Sequence, residues 1–544
     1  MADIKTHLNN IKGALYGKDV RGSIHDGMDA INKEVENTTG RQVDLENTFD
    51  QLIINAGNSN AEIVDARVKN DGTSYSKLGD RLDAVDSQLE HIENELNYGE
   101  IKIPKEFPEI PFSIVKTKLN DYEHNFNINS PFDMDDTVNI YVASYGSSSE
   151  YSGKDYFRPI QLSRFASLLN TGYYTQNTII VNFLENVIPL AGELSSTLIE
   201  KNVLFKSLSS SGFTWVTSVK RSKEDVSWTP YNSIFKGVIT LGNTSRMPID
   251  VVNFVQTDNY GIPIPYIKVS SLSKCVANKG TFFVSSQSEV YCNPYEAHNL
   301  DFLDIALANT GIIFANIGEN TSVAFENVGF THGAGVFNGS SLSSKFYFDN
   351  CKFYRGLEDA FSINGEFNIH LFDCVSAYAS KDGFNYHTTN YNSLATEVNC
   401  ISYGNGLYKM EGGNTTVTSN NGSTAHNGMN MLRFGCKYWD CQGPILADID
   451  NCNSYNIGCI VSNNKSISEV SENRKYSGFY FANSIDTHMR PLSNQGRKIL
   501  IECEAYGDLK YAVEGLSDDC IVECFKIKTL GKKKNSKNID LEVI

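Results

Sequence analysis

FDNCKFYRGLEDAFSINGEFNIHLFDCVSAYASKDGFNYHTTNYNSLATEVNCISYGNG, residues 348–406, decides the fold. Three times a short apolar run ends in a polar residue followed by a small one: Asn350-Cys351, Asp373-Cys374 and Asn399-Cys400. A second column lies a little downstream, at Asp359-Ala360-Phe361, Asp382-Gly383-Phe384 and Asn405-Gly406-Leu407. Two short strands with their turns, repeating every 20 or so residues, make one coil of a parallel β-helix. Outward from this stretch, the first column continues at Asn327-Val328, Asn421-Gly422, Asn451-Cys452, Glu502-Cys503 and Glu523-Cys524, and the second at Asn427-Gly428-Met429. The step from Cys452 to Cys503 leaves room for an extra coil or an excursion loop. All 12 cysteines fall between Cys275 and Cys524, with no CxxC and no zinc-finger spacing around Cys436/Cys441 or Cys520/Cys524. They are expected to be buried, unbonded thiols, stacked one per coil.

Before residue 137 the character differs. Residues 1–98 contain no Cys, Trp or Pro. Ile4, Leu8, Ile11 and Leu15 predict a helix stopped by Gly17. Ser23 is placed to cap a second helix through Ile24, Met28, Ile31 and Val35, and Leu45, Phe49 and Leu52 form a third series. Leu78, Leu82, Val85, Leu89, Ile92 and Leu96 alternate in steps of four and three, the a/d seam of a self-associating coiled coil. An amphipathic helix packed on its own domain has the same pattern. Residues 99–136 carry Pro104, Pro108, Pro111 and Pro131 and read as a linker or docking segment. Residues 137–530 read as the β domain, although coil boundaries cannot be assigned over 171–320. Residues 531–544, with Lys532-Lys533-Lys534, read as a solvated tail.

The net charge is −17. Such a chain is a poor partner for nucleic acid and for an anionic membrane surface. A hydrophobic content of 41% rules out wholesale disorder. The N-terminus lacks a basic segment leading into an apolar one, so no secretory signal is expected. No apolar run reaches the ~18 residues of a spanning helix, so no membrane insertion is expected either. Synthesis in a cytoplasm follows.

IYVASYGSSSEYSGKDYFRPIQLSRFASLL (140–169) resembles the start of pectate-lyase-like right-handed β-helices, in which a strand, a Gly/Ser-rich turn and a Pro segment lead into a capping helix. KDGFNYH (381–387), EVNCISYGNG (397–406), NGSTAHNG (421–428) and GPILADI (443–449) resemble the β-helices of phage tail spikes and tail fibres. IKTHLNNIKGALYGKDVRGSIHDGMDAIN (4–32), AEIVDARV (61–68) and GTSYSKLGDRLDAVDSQL (72–89) resemble the attachment module of baseplate and tail-fibre proteins. The expected fold is therefore mostly β: a single-stranded, right-handed parallel β-helix preceded by an α-helical, coiled-coil N-terminal region. The resemblance implies a homotrimer on the virion tail, made in the host cytoplasm and acting at the host cell surface. Residues 1–98 would dock on baseplate or tail proteins. The β-helix would bind capsular or cell-wall polysaccharide and depolymerise it, as a glycosidase or a lyase. A non-catalytic receptor-binding fibre, recognising cell-wall glycan or teichoic acid, and a purely structural fibre are the alternatives.

Cleavage of a polymer on a β-helix needs acids and bases on one outer face. Asp359 and Asp382 occupy one place in consecutive repeats, and adjacent strands lie ~4.8 Å apart. That approaches the ~5–5.5 Å carboxylate separation of retaining glycosidases. Asp before Gly is also a turn residue that bonds its own backbone, and Asn405 and Asn427 fit such a turn ladder. A second group is His387, Glu397, His426, Arg433 and Asp448. Alternation from Phe384 and Tyr386 turns His387 away from the core. A histidine beside a carboxylate is a candidate base, and an arginine neutralises a uronate or a phosphate. Backbone-bonded loop closure is the competing role for His387 and His426. No HExxH, EF-hand loop, Gly-rich phosphate loop or GxSxG occurs, so no cofactor and no metal ligands are expected, and a Ca²⁺ site built from Asp and Asn is left open without specific ligands.

Overall fold

The computed structural model describes residues 18–59, 99–189, 197, 199–217, 219–220, 225–240, 247–296, 300–307, 314–332, 335–408, 420–463, 477–482, 496–507, 509, 511–515, 520, 522–529 and 539–542. They divide into two units, Met1–Gly99 and Glu100–Ile544. In the first, Lys18–Ser59 is one continuous helix of 42 residues. Ser23 therefore lies inside a helix rather than capping one, and the second and third apolar series share it. Their steps join into a single run of fours and threes if Thr38 and Gln42 fill the two positions between Val35 and Leu45. Ile31, Leu45, Phe49 and Leu52 on this stripe are each more than 60% exposed. The Ile4–Leu15 series and the Leu78–Leu96 seam lie outside the described residues.

The second unit is a parallel β-helix with three strand series per coil. Thr137–Ser147 opens it, pairing in parallel with Thr178–Phe183. The helix Leu162–Asn170, with Phe165 and Leu168 buried, caps the end. One series is typified by Leu394–Val398, Asn430–Phe434 and Asn453–Ile457. A second contains Phe384–Tyr386, Ser423–Ala425 and Leu446–Asp448. The third forms a separate ten-stranded sheet that includes Lys352–Tyr354, Val375–Ala377 and Ile401–Tyr403. Inward side chains stack along the axis: the rings of Phe205, Phe325 and Phe348 lie 5.0 Å apart and nearly parallel. Beyond residue 530, Ile539–Glu542 still pairs in parallel with Val522–Phe525.

The polar-then-small pattern is the chemistry of one corner. Asn327, Asn350, Asp373, Asn399, Gly435, Gly458, Glu502 and Lys526 all have φ between 48° and 64°. Asn, Asp and Gly enter this left-handed region most readily. The next residue turns inward, and a cysteine fits there as a small apolar side chain. The thiols of Cys351, Cys374, Cys400, Cys436, Cys459 and Cys503 each donate to a carbonyl of the preceding coil at 3.3–3.7 Å. The column thus runs through Gly435-Cys436, Gly458-Cys459 and Lys526-Ile527. The sequence pattern had placed Asn421-Gly422, Asn451-Cys452 and Glu523-Cys524 there. Asn421 instead precedes the strand Ser423–Ala425, Asn451 stands at another corner, and Glu523 is inside a strand.

Residues 100–132 strap the outside of the first series. Phe107, Phe112, Ile114, Tyr122, Ile128 and Phe132 bury against outward residues such as Phe372, Leu394, Leu432 and Tyr455. The strap follows the left-handed corners. His124 lies 3.6 Å from Asp373, the Tyr122 carbonyl accepts from Asn399 Nδ2 at 2.8 Å, and Lys116 pairs with Glu502. Between these, the Tyr122 ring crosses Gly435 and Gly458, where a Cβ would come within 2.6 and 2.2 Å of it. The corner signature vanishes from the sequence at the two positions where the strap needs bare backbone.

The third series is covered in part by a lobe that leaves the helix after Thr214–Thr217. It contains a five-stranded sheet, mainly antiparallel, and a three-stranded one. It accounts for the strands over 171–320 that fit no coil. Asp250 of the lobe pins it to the helix. Arg355 Nε and Nη2 donate to its carboxylate at 2.8 and 2.9 Å, and His332 Nε2 lies 3.0 Å away. All three residues are buried. Burial pushes the Asp250 carboxyl up, but Arg355 and His332 outweigh it and hold it below the ordinary carboxylate range.

Candidate functional site

The five residues of the second sequence-predicted group do not form one site. Glu397, Arg433 and Asp448 lie inside the coil and are 0% exposed. Glu397 and Arg433 are register neighbours in adjacent coils, followed by Asn456. Arg433 donates from both terminal nitrogens to Asp448 at 2.9 Å and from Nε to Ser423 at 3.0 Å. Glu397 accepts from the hydroxyls of Tyr386, Ser423 and Tyr438 at 3.0, 2.6 and 2.6 Å. One guanidinium thus faces two carboxyls in the buried interior. Burial pushes the Glu397 carboxyl up to about 7, against the pull of Arg433 at 3.7 Å. A polymer outside the coil touches none of these groups; they bind the interior together. The expectation that they project from an outer face is corrected by this placement. Its cause is the strap: Leu432 and Phe434 face outward but are buried beneath it, which leaves Arg433 the inward phase.

His387 and His426 face outward on the second series. They are register neighbours, and their rings stack 4.1 Å apart at 15°. Asp450 Oδ2 lies 3.7 Å from His426 Nδ1. Burial, then the His426 and Lys381 charges, lower His387 to about 3, so its imidazole is neutral at physiological pH.

Asp359 and Asp382 stand in consecutive coils, because Phe361 pairs with Phe384. The column continues through Asn421, two residues before Ser423, rather than through Asn405 or Asn427. Each carboxylate takes a backbone N–H of the next coil: Asp382 N donates to Asp359 at 3.2 Å, and Asn421 N to Asp382 at 2.7 Å. Asn385 Nδ2 donates to Asp359 at 2.8 Å. Lys381 Nζ lies 4.0 Å from both carboxylates. Burial raises both carboxyl pKa values, and the Asp359 charge raises Asp382 further. Both carboxyls are thereby held above the ordinary carboxylate range, with the Lys381 ammonium pulling the other way.

Sequence reasoning missed the residues between the aspartates and the histidines. Asn385 and Thr424 are register neighbours that face outward, yet both are buried. Asn385 Oδ1, Thr424 Oγ1 and His426 Nε2 are buried without a hydrogen-bond partner. A buried polar atom left so costs roughly 1–3 kcal/mol. Lys381 had a signal, its place beside Asp382 in KDG; Asn385 and Thr424 had none beyond alternation. Among the described residues, no group of His, Cys, Asp and Glu has the arrangement of a metal site.

Neither a protein-family model nor a curated protein sequence matches the chain. Solved structures that resemble it include the following three. One is XylC in complex with xylose, at 10% identity over 72% of this chain and 70% of that one, with a TM-score of 0.37. Another is the tailspike gp49 of Acinetobacter baumannii bacteriophage Fri1, described as a capsular polysaccharide depolymerase, at 9% identity over 75% and 65%, TM-score 0.31. The third is the tailspike gp49 of Pseudomonas phage LKA1, at 10% identity over 65% and 64%, TM-score 0.25. The chain spans just under two thirds of each of these two tailspike chains.

Proposed function

We propose that this chain is a phage tail protein that binds host surface polysaccharide on its β-helix and hydrolyses it. The observation that carries the reading is the outward strip of the second series. There a pair of buried carboxyls with raised pKa values, Asp359 and Asp382, and the stacked histidines flank three buried polar atoms without a hydrogen-bond partner among the described residues. In this reading the polymer lies over the stacked His387 and His426 rings at the edge of the strip. The protonated member of the pair donates to the departing glycosidic oxygen, and the ionised one serves as nucleophile or base. Lys381 keeps one carboxyl ionised beside the other. The apolar stripe of Lys18–Ser59 is assigned to a coiled coil of three copies, and residues 1–98 to attachment on the tail.

A non-catalytic receptor-binding fibre is favoured by one observation: Asp382 is 1% exposed, and both aspartates already cap backbone N–H groups. Incubation with host polysaccharide separates the two. The products are sized by chromatography and assayed for reducing ends and for unsaturated-uronate absorbance. Hydrolysis gives shorter chains and reducing ends without the absorbance. Asp382→Asn keeps the acceptor for Asn421 and is expected to lose roughly 100-fold or more in rate while still co-eluting with the polymer. New absorbance would transfer the chemistry to His387 and His426. Intact polymer that co-elutes with the protein would leave a receptor-binding fibre, and no co-elution would end the reading.

A further inference from the structure

The seam between lobe and helix encloses a cavity of about 420 Å³. Phe213, Trp215 and Lys352 line it from the helix, and Phe254, Phe302 and Asp304 from the lobe. Trp215 and Lys352 stand on either side of Gly329 in one outward column. A Cβ on Gly329 would come within 2.4 Å of the indole, so the bare glycine lets Trp215 lie over the sheet. The Trp215 ring packs against Phe213 at 5.4 Å and Phe254 at 5.5 Å.

Lys352 makes this more than an apolar hollow. Its Nζ lies 4.5 Å from the Phe213 ring centroid and against the backbone of Gly261, where a Cβ would fall 2.3 Å from it. Among the described residues no carboxylate lies within 4 Å of it. The nearby Asp258 is already engaged, accepting from the backbone N–H groups of Tyr260 and Ile262 at 2.9 and 3.1 Å and from the Tyr403 hydroxyl. Burial holds the ammonium below the ordinary lysine pKa, against the pull of the Asp258 charge. Aromatic faces suit the C–H face of a sugar ring, and a cation suits a carboxylate.

We propose that this cavity binds a hexuronate unit of an acidic polysaccharide, with its carboxylate on Lys352 Nζ and its ring against Trp215. This rests on the glycan-binding reading above and names the class of glycan. A polymer leaving the cavity along the axis meets a second platform two to three coils on, roughly 10–15 Å away. There the rings of Tyr403 and Trp439 stack 4.9 Å apart at 3°, with Tyr260 beside both.

The test is calorimetric titration of the full-length protein with galacturonate and mannuronate tetramers, with the neutral tetramer maltotetraose and with inorganic phosphate. A uronate tetramer is expected to bind one per chain, at least about tenfold tighter than maltotetraose, and to lose roughly tenfold or more in Lys352→Met. Val255→Trp is a second variant. Val255 lies on the cavity wall and is 65% exposed, so the change narrows the cavity without entering the core, and it is expected to weaken binding similarly. Equal binding of the neutral tetramer, full competition by phosphate, or unchanged affinity in both variants would overturn the proposal. If no uronate binds while host polysaccharide still co-elutes with the protein, this inference falls alone. If neither binds, the functional reading falls with it.

Discussion

Replacing Glu397 with glutamine removes a titration from the interior of the coil, and the consequence depends on pH. The Glu397 carboxyl is held at about 7 in the folded chain, against 4.5 when free. Between these values the folded state binds a proton that the unfolded state has released. Stability from this group is therefore full below about pH 4.5 and is lost as pH rises through about 7. A shift of that size corresponds to about 3 kcal/mol. For a cooperative unit of roughly 450 residues, with unfolding entropy near 2.1 cal/mol/K per residue, it moves the melting temperature by about 3–4 °C. Glutamine accepts the Tyr386, Ser423 and Tyr438 hydroxyls without having to ionise. The assay is the melting temperature of wild type and Glu397→Gln at pH 4, 7 and 9, with unfolding rates in guanidinium as a second readout. The variant's advantage over wild type should grow by that amount between pH 4 and 9, whatever its offset at pH 4. A difference that stays constant with pH would refute the claim that Glu397 is the protonated member of this network.

Asp250→Asn strips the counter-charge from Arg355 and His332 and should cost roughly 3–5 kcal/mol at the junction, read as lobe fragments released early in limited proteolysis. Gly458→Ala puts a methyl where the Tyr122 ring lies and should cost roughly 1–3 kcal/mol; hydrogen exchange should rise over residues 112–128 and stay unchanged in the capping helix 162–170. All 12 cysteines are free and buried. The native protein should therefore resist a thiol reagent and the denatured protein should titrate 12 thiols, whereas a native Cys374–Cys400 disulfide would contradict the stacked column.

Much of the coil was legible because a left-handed corner makes a local chemical demand. Asn350, Asp373 and Asn399 meet it with side chains that tolerate positive φ, and Cys351, Cys374 and Cys400 fill the space just inside. The same logic put Asp359 and Asp382 in neighbouring coils. It failed at Gly435 and Gly458, where glycine meets the demand without a polar signature and the Tyr122 ring explains the choice.

What the sequence by itself determined was periodicity: the repeat, its corner, the inward cysteines and the capping helix, all set by contacts between residues close in the chain or one repeat apart. Only the tertiary structure decided phase. A strand such as Leu394-Ala395-Thr396-Glu397-Val398 alternates with period two, but alternation does not say which set faces inward when both sets are buried. The strap buries the outer set, so apolar Leu394 and Val398 face out and ionisable Glu397 faces in, beside an arginine and three hydroxyls that make its burial tolerable. The lobe was invisible for a related reason: Asp250 meets Arg355 across 105 residues of chain, and no local pattern encodes that contact.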